Sequence, residues 1–261
     1  MSHFYRFLLL GDPVAHSRSP AIHHLALRLT GLEGDYVAVR ADARILAESV
    51  EQLRSGAVDG INVTMPLKRA AYEIAETLTP LAELAGSVNT LSRTKGGVEG
   101  DSTDAAAFAD LAKEGRFSAV EEFYVLGAGG SAAAALAALR TRKVVLSARN
   151  SEKAAVLGER LGVAELIPWG TPRPGAVLIN ATPLGMAGET LPEGVLEAAS
   201  GLIDLPYGST PTPAVTGALE LGIPVVDGAE FLAQQAALSF QRWTGRSVDF
   251  ELLLEAARGS L

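Results

Sequence analysis

The chain has 261 residues, 48% of them hydrophobic and 20% charged, so it can bury a core in one large or two modest domains. A formal net charge of -8 excludes a general affinity for nucleic acid, which needs a basic surface to displace phosphate counterions. With no cysteine, disulfides, thiolate metal sites and cysteine nucleophiles are excluded too. In chain order, short apolar runs at residues 5–10, 36–40, 58–63, 122–126, 144–148, 176–180, 201–204 and 224–226 read as strands. Amphipathic stretches at 20–29, 42–53, 67–76, 105–113, 131–139, 151–161 and 213–221 read as helices. The alternation predicts mostly parallel sheets covered by helices. The opening apolar run is too short for a secretory signal, and no stretch is long enough to span a bilayer, so a cytoplasmic protein is expected.

A change of texture marks a domain boundary. Residues 87–92 followed by 93–99 read as a strand and a glycine turn, and the polar stretch 100–104 then opens a helix. A fresh βαβ run begins at Glu122. The segment 231–261 is helical without a strand partner. The expected fold class is α/β with two domains: residues 1–101 plus 236–261, and residues 102–235.

The stretch FYVLGAGGSA at 123–132 carries the most mechanism. An apolar strand runs into Gly127, Gly129 and Ala132, the G-x-G-x-x-A form of the dinucleotide fingerprint, and continues as an alanine-rich helix. Gly127 permits the tight turn and Gly129 the approach of a pyrophosphate. The helix N-terminus offers free N–H groups to the anion. At the end of the next strand, where NAD-binding versions carry an acid, this chain has Arg149, then Asn150, with Lys153 a turn later. Those cations suit a 2′-phosphate, so NADP is favoured over NAD.

In the first half, Ser19 before Pro20 reads as a helix N-cap with proline at the first helical position, while Ser17 adds a second hydroxyl at that positive helix end. Two such hydroxyls suit a carboxylate. NVTMPLK at 62–68 leaves a strand and enters a helix, placing Thr64 and Lys68 where parallel α/β sheets bind ligands. Spacing alone also allows Lys68 to be a surface lysine and Asp104 to be the N-cap of the helix at 105–113. Sharing a site, the two would form a proton-handling pair. Four scattered histidines fit no common metal-ligand spacing.

Together these segments resemble the shikimate dehydrogenase family. GDPVAHSRSP at 11–20, NVTMPLK at 62–68, GSVNTL at 86–91, GDSTD at 100–104, GAGGS at 127–131, NATP at 180–183, DLPY at 204–207 and DGAEFLAQQ at 227–235 follow the family's order across nearly the whole chain. The resemblance implies a substrate domain and a Rossmann-type NADP-binding domain, with the C-terminal helices returning to the first. It implies reversible reduction of 3-dehydroshikimate to shikimate by NADPH, a step toward chorismate and the aromatic amino acids. Carried over by position, Ser17, Ser19, Thr64 and Tyr207 hold the substrate carboxylate. Asn89, Asp104 and Gln235 bind ring hydroxyls, and Lys68 with Asp104 manages the proton. Gly127, Ala128, Gly129, Gly130 and Ser131, with Arg149, Asn150 and Lys153, take the phosphate and adenosine end of NADP. Thr182, Leu205 and Gly228 line the nicotinamide end. The chain departs from the family pattern at 148–150, where Ala-Arg-Asn replaces the common Asn-Arg-Thr, at Ser102 for a frequent Asn, and at Leu205-Pro206. The partners implied are small molecules, without nucleic acid or membrane; a homodimer stays open. Alternatives are a quinate/shikimate dehydrogenase of broader specificity, a methylene-folate dehydrogenase, and a non-catalytic nucleotide- or shikimate-binding sensor.

Overall fold

The apolar runs fold into two six-stranded sheets, each the centre of its own unit. The structure, a computed structural model, describes residues 3–113, 115–163 and 165–259. One unit holds the chain up to Ala106 and again from Leu232 onward; the other is Ala107–Phe231.

The first unit contains β1 (Phe4–Gly11), α1 (Ser19–Thr30), β2 (Glu33–Arg40), α2 (Ala43–Ser55), β3 (Gly60–Val63), α3 (Lys68–Ile74), β4 (Thr77–Leu78), α4 (Pro80–Ala85), β5 (Thr90–Thr94) and β6 (Gly97–Asp101). Helix α5 (Thr103–Lys113) follows. The sheet order is β2-β1-β3-β5-β6-β4. β1 runs parallel to β2 and β3, and β5 runs antiparallel to both β3 and β6. The residues expected to be a glycine turn leading into a helix instead return as strand β6. Its period-two signal is weak because Gly100 fills one inward position. A Cβ there would lie 2.8 Å from Val88 Cγ2. Leu46, Val50, Leu53, Ile61, Leu91 and Val98 form the core beneath α2, the apolar burial that holds helix to sheet.

The second unit contains β7 (Glu122–Leu126), α6 (Gly130–Ala138), β8 (Lys143–Ser147), α7 (Ser151–Leu161), β9 (Glu165–Leu166), β10 (Val177–Asn180), β11 (Gly201–Asp204), α8 (Pro213–Glu220) and β12 (Val225–Val226). Every pairing is parallel, in the order β12-β11-β10-β7-β8-β9. Counted from β7 this is 6-5-4-1-2-3, the doubly wound dinucleotide-binding topology, whose direction reverses between β7 and β10. Strands β10 and β11 are buried along their whole length, which explains why they read as continuous apolar runs rather than alternating ones.

The unpartnered tail is two helices, α9 (Gly228–Thr244) and α10 (Phe250–Arg258), broken at Gly245 with φ of 69°. From Leu232 on, they belong to the first unit. The Trp243 ring stacks on Phe7 at 4.7 Å and donates its indole N–H to the Leu91 carbonyl at 3.1 Å. Gly60 makes room, since a Cβ there would come within 2.4 Å of the indole. Arg18 donates to the Ala257 carbonyl at 2.6 Å, tying α1 to α10. Among the described residues no helix is long and apolar enough to cross a membrane.

Candidate active site

Sheet geometry gathers the polar residues of the first unit. β1 and β3 are parallel, so their carboxyl ends share one edge, and the antiparallel β5 begins at that same edge, with Asn62 opposite Thr90. β6 ends there too, with Asp101 opposite Thr90. Thr64 and Lys68 follow β3, Asn89 precedes β5, and Asp104 follows β6. Three segments of the sequence therefore converge.

Lys68 opens α3, but its side chain turns inward and is only 16% exposed. Its Nζ lies 2.5 Å from Asp104 Oδ2. Asp104, 9% exposed, is not an N-cap: Ser102 Oγ accepts the Ala105 N–H at 3.3 Å and leaves the carboxylate available. Asn89 donates to Asp104 Oδ1 at 3.0 Å and accepts the Thr103 N–H at 2.7 Å. Since a backbone N–H only donates, the second bond fixes which end of the Asn89 amide is oxygen. Gln235, on α9, accepts from Asn89 Nδ2 at 3.4 Å. Buried charge is tolerated when paired and hydrogen-bonded in this way.

The hydroxyls lie in the loops beyond β1 and β3. A Cβ at Gly11 would sit 2.3 Å from Thr64 Cγ2 and 2.8 Å from the Met65 carbonyl, so only glycine lets these two loops approach. Ser19 does not cap α1 as expected; it lies inside the helix, the cap position being Arg18 without a side-chain bond. Ser17 Oγ instead accepts the Ser19 N–H at 3.2 Å. Proline fits at either of the first two positions, which is why the register is off by one. Tyr207 belongs to the second unit, just past β11, and is half-buried.

In the second unit, Gly127 follows β7 with φ of 119°, a conformation other residues rarely adopt. A Cβ there would lie 2.7 Å from the Ala181 carbonyl, so β7 and the segment after β10 meet closely at the reversal point. Gly129 caps α6, and a Cβ on it would meet nothing within 4 Å. That open face beside the first N–H groups of the helix is the cradle a pyrophosphate needs. Ala128, Gly130 and Ser131 complete the turn. Arg149 is exposed, its guanidinium 6.0 Å from the Trp169 ring centroid. Asn150 caps α7 by accepting the Lys153 N–H at 2.8 Å, leaving its amide N–H groups to donate. Both the Arg149 and the Lys153 side chains are solvent-facing.

Thr182 is held by Asn180 Oδ1, which accepts its N–H at 3.1 Å and its hydroxyl at 2.6 Å. Asn180 in turn donates to Asp204 at 2.7 Å, and Thr212 donates to the other carboxylate oxygen at 2.5 Å. Burial pushes the Asp204 carboxyl up to about 6, the two donors opposing it and the Asp227 charge adding to it. Leu205 follows Asp204. Gly228 must be glycine because a Cβ would lie 2.4 Å from the Pro206 carbonyl. The Asn180–Asp204–Thr212 chain is a feature that reading the sequence misses. Its signal is a polar residue ending each of two otherwise apolar buried strands.

The family model described as the shikimate dehydrogenase substrate binding domain matches residues 9–91, and the shikimate 5'-dehydrogenase C-terminal domain matches residues 228–258. A shikimate dehydrogenase (NADP(+)) of Thermus thermophilus is 37% identical over 261 residues, covering 98% of each chain. The chain belongs to the shikimate dehydrogenase family. The shikimate dehydrogenase (NADP(+)) of Gluconobacter oxydans is 36% identical over 248 residues, 91% of this chain and 89% of its own. The shikimate 5-dehydrogenase of another Thermus thermophilus strain, solved in complex with NADP(H) and shikimate, superposes with a TM-score of 0.87 at 34% identity. That match covers 98% of this chain and 100% of the solved one. A family member solved with NADP+ superposes at 0.88 with 26% identity, covering 100% of this chain and 97% of its own. As a family member the protein is an NADP-dependent oxidoreductase.

Proposed function

We propose that the protein catalyses reversible reduction of 3-dehydroshikimate to shikimate with NADPH. The observation that carries this reading is the Lys68–Asp104–Asn89 cluster at the carboxyl edge of the first unit's sheet, in a chain of this family. The Thermus thermophilus relative that superposes on it was solved with both ligands.

A ketone accepting hydride builds negative charge on its oxygen, and a proton donor beside that oxygen lowers the barrier. Lys68 is assigned that role: its ammonium gives a proton to the forming alkoxide in reduction, and the neutral amine takes one from the alcohol in oxidation. Asp104 keeps the ammonium in place through Oδ2 and is free to accept from a ring hydroxyl. Asn89 and Gln235 engage the remaining ring hydroxyls. Ser17, Ser19 and Thr64 donate to the substrate carboxylate, and Tyr207 carries over from the family resemblance as a fourth ligand.

For the cofactor, the turn of Gly127, Ala128, Gly129, Gly130 and Ser131 takes the pyrophosphate. Arg149, Asn150 and Lys153 take the 2′-phosphate and adenosine. Thr182, Leu205 and Gly228 form the nicotinamide wall. When bound, NADPH supplies the hydride.

The test uses 3-dehydroshikimate and NADPH deuterated at the transferring carbon of the nicotinamide. Deuterium recovered at one carbon of the shikimate product supports the reading. Oxidation of the cofactor without label in shikimate, or no reaction, contradicts it.

A further inference from the structure

Behind Asn89 lies a sealed cluster of side chains that no substrate can touch. Asn62 on β3, Thr90 on β5, Thr103 at the start of α5 and Ser239 on α9 are all at most 5% exposed. Ser239 Oγ is the hub: it lies 3.0 Å from the Gln235 carbonyl, 3.0 Å from Asn62 Nδ2, 3.0 Å from Thr90 Oγ1 and 3.1 Å from Thr103 Oγ1.

Proton counting gives these bonds a direction. Asn62 Nδ2 donates to the Asn89 carbonyl at 3.1 Å, while Asn62 Oδ1 accepts from the Tyr36 hydroxyl at 2.9 Å, so the orientation of that amide is settled. The Gln235 carbonyl can only accept, so it takes the single Ser239 proton. Toward the two threonine hydroxyls Ser239 Oγ is therefore an acceptor, and the two Asn62 Nδ2 protons are taken by the Asn89 carbonyl and Thr90 Oγ1. Thr103 Oγ1 already receives a proton from Asn89 Nδ2 at 2.9 Å, and Thr90 Oγ1 receives one from Asn62 Nδ2 at 3.0 Å. Ser239 accepts from both threonine hydroxyls, whose own oxygens stand 3.1 Å apart. If it is removed, the Thr103 hydroxyl can still donate to Thr90 Oγ1 at 3.1 Å, which sends the Thr90 proton to Asn89 Oδ1 at 3.4 Å. That oxygen now holds the Thr103 N–H. Competition there tilts the amide whose other end fixes Asp104 Oδ1.

We propose that Ser239, with Thr90, is a positioning residue that sets the angle of Asn89 and hence of the Asp104 carboxylate against Lys68. The assignment rests on the proposed dehydrogenase activity. Buried polar networks of this kind rigidify a site when every member is satisfied, and a catalytic group displaced by a fraction of an ångström loses rate.

The test compares Ser239→Ala, Thr90→Val and Thr90→Ser with the parent enzyme, recording kcat, KM for shikimate and NADP, the pH dependence of kcat, and melting temperature. Thr90→Val is nearly isosteric and keeps the test usable if Ser239→Ala folds poorly. Expected is a fall in kcat of roughly tenfold for Ser239→Ala and Thr90→Val, the scale of one hydrogen bond. The KM for NADP stays put and the pH profile of kcat shifts. Thr90→Ser restores most of the rate, and the double variant loses little more than either single one. A parental kcat and pH profile in Ser239→Ala and Thr90→Val, with only the melting temperature lowered, overturns the positioning role and leaves the dehydrogenase reading intact. A parent enzyme silent with shikimate and NADP overturns both.

Discussion

Lys68 Nζ and Asp104 Oδ2 stand 2.5 Å apart although the residues are separated by 36 positions and lie on different helices. Neither is well solvated, at 16% and 9% side-chain exposure. Each offsets the buried charge of the other, and their different roles predict different responses to substitution. Lys68→Ala removes the proton donor: kcat should fall by about a hundred- to ten-thousandfold, the span typical of general acid–base groups. KM for shikimate should move little. Asp104→Asn loses the negative charge that holds Lys68 and one of the two acceptor oxygens, so it should lower kcat and raise KM together. Steady-state kinetics of the two variants decides; an unchanged kcat in Lys68→Ala contradicts the proton assignment.

Arg149 should govern the choice of cofactor. It is exposed and 6.0 Å from the Trp169 ring, so its loss costs the fold little. Arg149→Ala should raise KM for NADP by about ten- to a hundredfold, the range of a charged hydrogen bond, while leaving KM for NAD and the melting temperature near parental values. Equal effects on the two cofactors would mean the guanidinium does not meet the 2′-phosphate.

Gly127→Ala tests the nucleotide turn. The substitution forces a side chain into φ of 119° with its Cβ 2.7 Å from the Ala181 carbonyl, and backbone cannot step aside as a flexible side chain can. Strain of about 1–3 kcal/mol is expected, seen as a lower denaturant midpoint. Calorimetry should show NADP binding weakened far more than shikimate binding.

The second unit was the more legible of the two. Each of its main strands is an unbroken apolar run ended by glycine or a polar residue, and the parallel sheet needs nothing subtler. In the first unit, β6 hid because Gly100 breaks the apolar alternation; β4 there and β9 in the second unit, two residues each, carry no period at all. The candidate residues Lys68, Asn89 and Asp104 could each be named, but spacing cannot distinguish a capping Asp from one facing a lysine; only the register of β3, β5 and β6 brings them together. Ser17 and Ser19 exchanged capping roles for a similar reason, since both are hydroxyls within reach of one helix end. The cluster around Ser239 left no trace in the sequence, because polar residues give no sign of burial until their partners are known.

Two buried titratable groups predict opposite pH responses. His23 is fully buried, stacked on Tyr36 at 4.2 Å, and neither ring nitrogen has a hydrogen-bond partner among the described residues. Burial, with the His24 charge adding, lowers it from 6.5 to about 3. The unfolded chain binds that proton first, so its contribution to stability is lost as pH falls through this window. Asp204 is raised from 3.8 to about 6, so there the folded chain binds first, and stability is gained as pH falls across that interval. Urea midpoints measured against pH should show His23→Phe less sensitive to acid than the parent, and Asp204→Asn without the gain on acidification.

The central claim is the reaction itself, and the most direct measurement is NADPH formation by the purified protein with shikimate or quinate, each paired with NADP or NAD. The account predicts turnover with shikimate and NADP, far above every other pairing. Preferred turnover of quinate, or of either acid with NAD, would contradict the substrate and cofactor assignments while keeping the reaction class. Binding of shikimate without turnover in any pairing would contradict the catalytic role given to Lys68 and Asp104.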